Sequence, residues 1–262
     1  MPLEFLPQYQ DASIEPHAHY YRINGVRHQR VTTALNIINK PALPAWAARV
    51  ALGRVREILE APDTVSELSR LPLDEHTFDP AEYQGFIDRL MTAVAKRPNE
   101  IRDESSALGT EVHALLRALA QGDNVSIPVE HQPAITGALA FLADYEITVC
   151  DTERVVWDDV QRIAGTVDGI GWRNGQLVIW DWKRSAHIYW ETALQLAAYA
   201  KLLSGLTDMD VAEAFAVRLP RTAGETYEAK RISGENLVTA YGCYYSATDL
   251  YSAGKFAWWE ET

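Results

Sequence analysis

Apolar and polar residues alternate through the second half of the chain. In "GTVDGIGWRNGQLVIWDWKRS" (165–185), Leu177, Ile179, Asp181 and Lys183 fall on one face of an extended segment, and Trp180 and Trp182 on the other. This follows from the two-residue period of a strand. The pattern predicts strands near 148–157, 161–171 and 176–183. A helix follows in "YWETALQLAAYAKLLSG", ended by Gly205. A strand in "VAEAFAVRLP", a further one in "ETYEAKRI" and a helix from Gly234 to about Ser252 complete the C-terminal half.

The first half has a helical period instead. "PAWAARVALGRVREILEA" reads as a helix with Pro44 in its first turn. "DPAEYQGFIDRLMTAVAKR" reads as a second, with Asp79 as its cap and Pro80 at the first helical position. "EIRDESSALGTEVHALLRALAQG" reads as a third, ended by Gly122, and "PAITGALAFLADYE" as a fourth. Before them, "HYYRINGVRHQRV" has the form of a hairpin about Asn24-Gly25. Helices followed by a sheet with one internal helix predict an α+β, or mixed α/β, fold. The expected division is an N-terminal hairpin and helical region over 1–103, packed on a core over 104–262 to make one compact unit.

One turn sets a register. Asn174-Gly175 between two strand-like runs predicts a type I′ hairpin. Paired residues then share the sum of the turn residues, which places Asp168 opposite Asp181. Opposed side chains lie ~4.5–5.5 Å apart at Cβ, and like charges there repel. Two remedies exist: one carboxylate takes up a proton, or a divalent cation sits between them. Removing either carboxylate from the metal-free protein should then be neutral or stabilising. An isolated D-x-K triplet more often marks a strand end whose charges neutralise each other; the hairpin register is what favours a site.

Composition narrows the classes. The chain has 262 residues, 47% of them hydrophobic, with a net charge of −12. No run approaches the ~20 apolar residues of a membrane helix. The N-terminus lacks the basic and apolar regions of a signal peptide, so a cytoplasmic location is expected. Cys150 and Cys243 are too few for a disulfide framework or a four-cysteine iron–sulfur cluster. The acidity argues mildly against a nucleic-acid partner, so such a partner needs a local basic site.

The motifs around the hairpin supply the resemblance. "GTEVH" (Gly109–His113), "GTVD" (165–168), Asp181-x-Lys183 and "QLAAY" (Gln195–Tyr199) occur in that order. Together they resemble the PD-(D/E)XK nuclease superfamily, and within it the RecB-like and phage exonuclease branch. "VTTALNIINKPALPAWAARVA" is also similar to the N-terminal segment of phage relatives. The resemblance implies a restriction-endonuclease-like core and a Mg²⁺- or Mn²⁺-dependent DNA exonuclease without an iron–sulfur cluster. It implies His113, Asp168, Asp181 and the carbonyl of Trp182 as metal ligands. Lys183, Gln195 and Tyr199 would act beside them, with Gly109 allowing close approach. Glu153 is a weaker, additional acid.

Substrate contacts are expected from Arg184, Trp190, Arg49 and Arg54; Trp180 and Trp182 read as core. The implied partners are single- or double-stranded DNA ends and replication or recombination proteins, with no membrane. Arg54 and Arg56 could equally be paired to Glu57 and Glu60 on a solvated face. The rival readings are a catalytically idle nucleic-acid-binding module and a metal-dependent hydrolase of small phosphorylated substrates. Cleavage of end-labelled DNA separates the three.

Overall fold

The computed structural model describes residues 3–38, 42–64 and 80–253. Asp79, the expected cap, lies outside them. The sheet strands are β1 (Ile14–Pro16), β2 (Tyr20–Ile23), β3 (Val26–Arg30), β4 (Thr148–Asp158), β5 (Ile163–Arg173), β6 (Gln176–Lys183), β7 (Val211–Arg218) and β8 (Glu228–Ser233). The helices are α1 (Val31–Ala34), α2 (Ala42–Glu60), α3 (Pro80–Ala120), α4 (Gln132–Asp144), α5 (Glu191–Thr207) and α6 (Glu235–Ala253). The class is mixed α+β, as the alternation of periods predicts.

The chain forms two compact units: residues 1–38 with 109–262, and residues 39–108. The N-terminal hairpin therefore goes with the sheet and not with the helical region that follows it. The cause is a parallel pairing of β3 with β5, Gln29 to Ile163 and Arg30 to Ala164.

The eight strands make one mixed sheet in the order β1-β2-β3-β5-β6-β7-β8, with β4 also on β5. Helices cover both faces. Leu177 and Ile179 pack with Leu196 and Leu203 of α5 and Tyr244 of α6. Val178, Trp180 and Trp182 pack with Phe141 of α4 and Val112 of α3. Trp180 and Trp182 are thus core, as alternation predicts.

Two helix boundaries differ from expectation. The second and third predicted helices are one 41-residue helix, α3, with Pro98 inside it. Proline removes one backbone hydrogen bond there, at a cost of ~3 kcal/mol or more, and the good helix formers on both sides carry the helix through. Gly205 does not end α5 either. The helix runs to Thr207, and Asp208 takes the left-handed conformation at φ 56°.

The glycines on β5 are fixed by packing. A Cβ on Gly169 would lie 1.9 Å from the Trp180 indole, and one on Gly165 would lie 2.3 Å from the Tyr199 ring. Gly169→Ala should therefore destabilise the fold by ~1–3 kcal/mol through overpacking. Gly205 has nothing within 4 Å, so Gly205→Ala should stabilise α5 by ~0.5–1 kcal/mol. Urea midpoints of the two variants should move in opposite directions.

Candidate active site

The hairpin register is the predicted one. Asn174 and Gly175 have φ of 50° and 77°, and Gly169 pairs with Trp180 and Ile170 with Ile179. The ladder stops at Gly169–Trp180, one step before the aspartates. Beyond it the sheet forks. β4 occupies one edge of β5 from Ile163 to Trp172, so β3 and β6 must share the other edge. β3 takes its first two residues and β6 its last five. Among the described residues, no strand lies beside the edge from Gly165 to Asp168.

A cavity of about 200 Å³ lies at this fork, lined by Gly165, Thr166 and Asp168 of β5, Asp181 to Lys183 of β6, and His113, Gln195 and Tyr199. Tyr21, Arg30, Val31 and Thr32 form its other bank. Asp168 takes over the interrupted ladder: its Oδ2 accepts the Trp182 backbone N–H at 2.7 Å.

The two aspartates belong to different networks. Asp181 is almost fully buried, at 3% exposure. Lys183 Nζ lies 2.6 Å from its Oδ2, and Gln195 Nε2 donates to its Oδ1 at 2.7 Å. Lys183 also donates to Gln195 Oε1 at 3.1 Å. Gln195 Nε2 lies 3.0 Å from the Tyr199 hydroxyl, which accepts from it. Gln195 and Tyr199 sit one turn apart on α5, so they share a face. Spacing predicts only that shared face; the hydrogen bonds join the pair to Asp181 and Lys183.

Asp168 stands with His113 and Glu153. His113 Nδ1 is 3.1 Å from Glu153 Oε1 and 3.6 Å from Asp168 Oδ1. One ligand atom from each of the three falls within 4.8 Å of the others. Glu153, weighted least among the acids in the sequence, is thus central. In the β4–β5 register, where Thr152 pairs with Gly169 and Arg154 with Val167, it falls opposite Asp168. Its φ is +52°, a left-handed conformation that costs a non-glycine residue about 1–3 kcal/mol and gathers at functional sites.

Electrostatics follow burial. Burial and the neighbouring Asp181 push the Asp168 carboxyl up to about 8. Burial works against the His113 cation, but the hydrogen bond to Glu153 and the charge of Asp168 outweigh it and raise the imidazole to about 9. Lys183 is likewise penalised by burial and held up by Asp181. Burial, then the aspartate charges, keep the Tyr199 phenol protonated. In the metal-free site, burial thus favours the protonated Asp168 carboxyl, and the surrounding acids favour the protonated His113.

Gly109, Arg184 and Trp190 are not among the residues that line the cavity. Gly109 is on α3 one turn before His113, and nothing packs within 4 Å of where its Cβ would be. The expected close approach by protein is thus absent among the described residues. Arg184 is half-buried and Trp190 is 64% exposed. Arg49 and Arg54 lie on α2, in the 39–108 unit. Arg54 pairs with Glu57 at 3.1 Å and Arg56 with Glu60 at 2.8 Å, the solvated-face arrangement. Cys150 and Cys243 are free thiols. No helix among the described residues is long and apolar enough to cross a membrane.

No curated protein matches the chain. Among solved structures, LHK-Exo in complex with dAMP is 12% identical, with a TM-score of 0.29, over 79% of this chain and 89% of its own. The structure of SSO0001 is 13% identical, with a TM-score of 0.25, over 43% of this chain; the match spans 56% of its length. The family model of the PD-(D/E)XK nuclease superfamily matches residues 89–252, which is more than half of the sequence, and the chain belongs to that superfamily.

Proposed function

We propose that the chain is a Mg²⁺- or Mn²⁺-dependent deoxyribonuclease of the RecB-like branch. It would act as an exonuclease in phage or bacterial DNA replication, recombination or repair. The observation that carries this is the convergence of His113, Glu153 and Asp168 beside the Asp181–Lys183–Gln195 network, at a gap in the sheet. The donor set fits a divalent cation: carboxylate oxygens suit Mg²⁺ or Mn²⁺, and an imidazole tilts the choice toward Mn²⁺.

The proposed ligands are His113, Asp168, Asp181 and the Trp182 carbonyl, joined by Glu153. An extended residue sends its N–H and C=O to the same edge, so the Trp182 carbonyl faces the fork with its N–H. When bound, the metal would polarise the scissile phosphate and lower the pKa of a water. Lys183, fixed by Asp181 and Gln195, would orient that water or neutralise charge that builds on the phosphate in the transition state. Gln195 would hold the ammonium in place, and Tyr199 would hold Gln195. Glu153 would fix the His113 ring.

The test is end-labelled single- and double-stranded DNA with Mn²⁺, with Mg²⁺ and with EDTA. Nucleotides released from an end only with metal are the expected result. DNA bound but uncut under every condition would point to an idle binding module. Intact DNA together with hydrolysis of small phosphate esters would point to the small-substrate hydrolase.

A further inference from the structure

The segment that leaves the site carries chemistry that the cleavage step does not use. Trp190 is 64% exposed and Tyr189 is 39% exposed, although large aromatic side chains are mostly buried in soluble proteins. Their backbone is not loose. Thr192 donates to the Tyr189 carbonyl at 3.1 Å and Ala193 to the Trp190 carbonyl at 3.0 Å, so both residues sit on the first turn leading into α5. Lys230 Nζ holds the Ile188 carbonyl at 3.3 Å. Two adjacent aromatic residues are presented on fixed backbone, six and seven residues after Lys183.

Arg184 lies between Lys183 and this pair. Its Nη1 is enclosed and has no hydrogen-bond partner among the described residues. The β7–β8 connection is tied to the same place, since the Leu219 N–H donates to the Lys183 carbonyl at 2.9 Å. It brings Arg221, two residues after Leu219, to the same end of the sheet. The nearby Glu225 carboxylate is engaged by the Arg221 backbone N–H and by Thr222, each at 2.9 Å. In a chain of net charge −12, two neighbouring guanidiniums, one with an unsatisfied donor, fit an anionic partner.

Resting on the deoxyribonuclease reading, we propose that Arg184, Tyr189, Trp190 and Arg221 form a track for single-stranded DNA running to the cavity. A single-stranded end is then the preferred substrate. Unpaired bases offer their faces for stacking, and their phosphates offer charge to the arginines. A duplex keeps its base faces inside the stack and has only its terminal pair to offer.

The test is binding of a fluorescein-labelled oligo(dT) and of a blunt hairpin duplex, read by anisotropy with Ca²⁺ in place of Mn²⁺. The wild type should bind the single strand more tightly. Trp190→Ala should weaken single-strand binding ~5- to 100-fold, the usual loss per stacked base, and change duplex binding less than about twofold. Trp190→Phe should restore most of the loss, which separates stacking from a folding defect. Arg221→Ala should lower the salt slope on the single strand by ~0.7, one phosphate contact. Equal losses on both substrates, or no loss, would overturn the track even if the enzyme cleaves DNA. Preserved discrimination in a protein that cuts nothing would uphold the track and sink the nuclease reading instead.

Discussion

Asp168→Asn should cut DNA ~10²–10³-fold more slowly than the wild type, yet melt above it when no metal is present. The loss follows from removing a charged group aimed at the reacting centre. The gain follows from burial. Asp168 is protonated up to about pH 8 in the folded site, whereas an unfolded aspartate ionises near 3.9. Each pH unit between those values favours the unfolded chain by about 1.4 kcal/mol. Asparagine resembles the protonated acid: it still accepts the Trp182 N–H and has no charge to lose. A gain on the order of 4 kcal/mol at pH 7 is expected, read by thermal melts in EDTA.

Asp181 should behave in the opposite way, contrary to the expectation that either carboxylate is dispensable without metal. Its carboxylate holds Lys183 and Gln195. Asp181→Ala leaves a largely buried ammonium and a buried amide donor without their acceptor, and should cost about 1–3 kcal/mol. Cleavage by this variant should be lost as well.

The metal-free protein should lose stability as the pH rises from 6 to 8. The folded state holds protons on Asp168, raised to about 8, and on His113, raised to about 9. The unfolded chain has already released the first, and releases the second near pH 6.5. Native protein therefore binds more protons than unfolded protein through this window, and stability falls with pH. The His113 contribution is full below about 6.5 and gone above about 9. The expected slope is roughly 1–3 kcal/mol per pH unit, or several degrees in Tm for a chain of this size. Asp168→Asn should flatten it. Mn²⁺ must displace the same protons to bind, so its stabilisation should grow from pH 6 to pH 8. A metal-free Tm that is flat or rising over this range would contradict the electrostatics of the site.

Local chemistry made much of this legible. Asn174-Gly175 fixed the β5–β6 register, and that register located Asp168, Asp181 and Lys183. The one-turn spacing of Gln195 and Tyr199 put them on one helix face. What stayed hidden depends on distant pairings. Glu153 became visible only with the β4–β5 register, because the four residues between Asp158 and Ile163 carry no Asn-Gly signal and Val149–Asp151 carries a register shift. The left-handed backbone at Glu153 has no signature in its own side chain. The fork exists because β3 joins β5 across more than a hundred residues of sequence, a contact that no local pattern encodes. Pro98 inside α3 is a case where neighbouring helix formers overrode a breaker.

The most direct test of the metal centre is an anomalous difference map from crystals grown with Mn²⁺. The expected result is a peak within bonding distance of His113 and Asp168, absent in Asp168→Asn crystals under the same conditions. A clean map at this site, from crystals of a protein that cleaves DNA with Mn²⁺ in solution, would place the catalytic metal elsewhere and contradict the account.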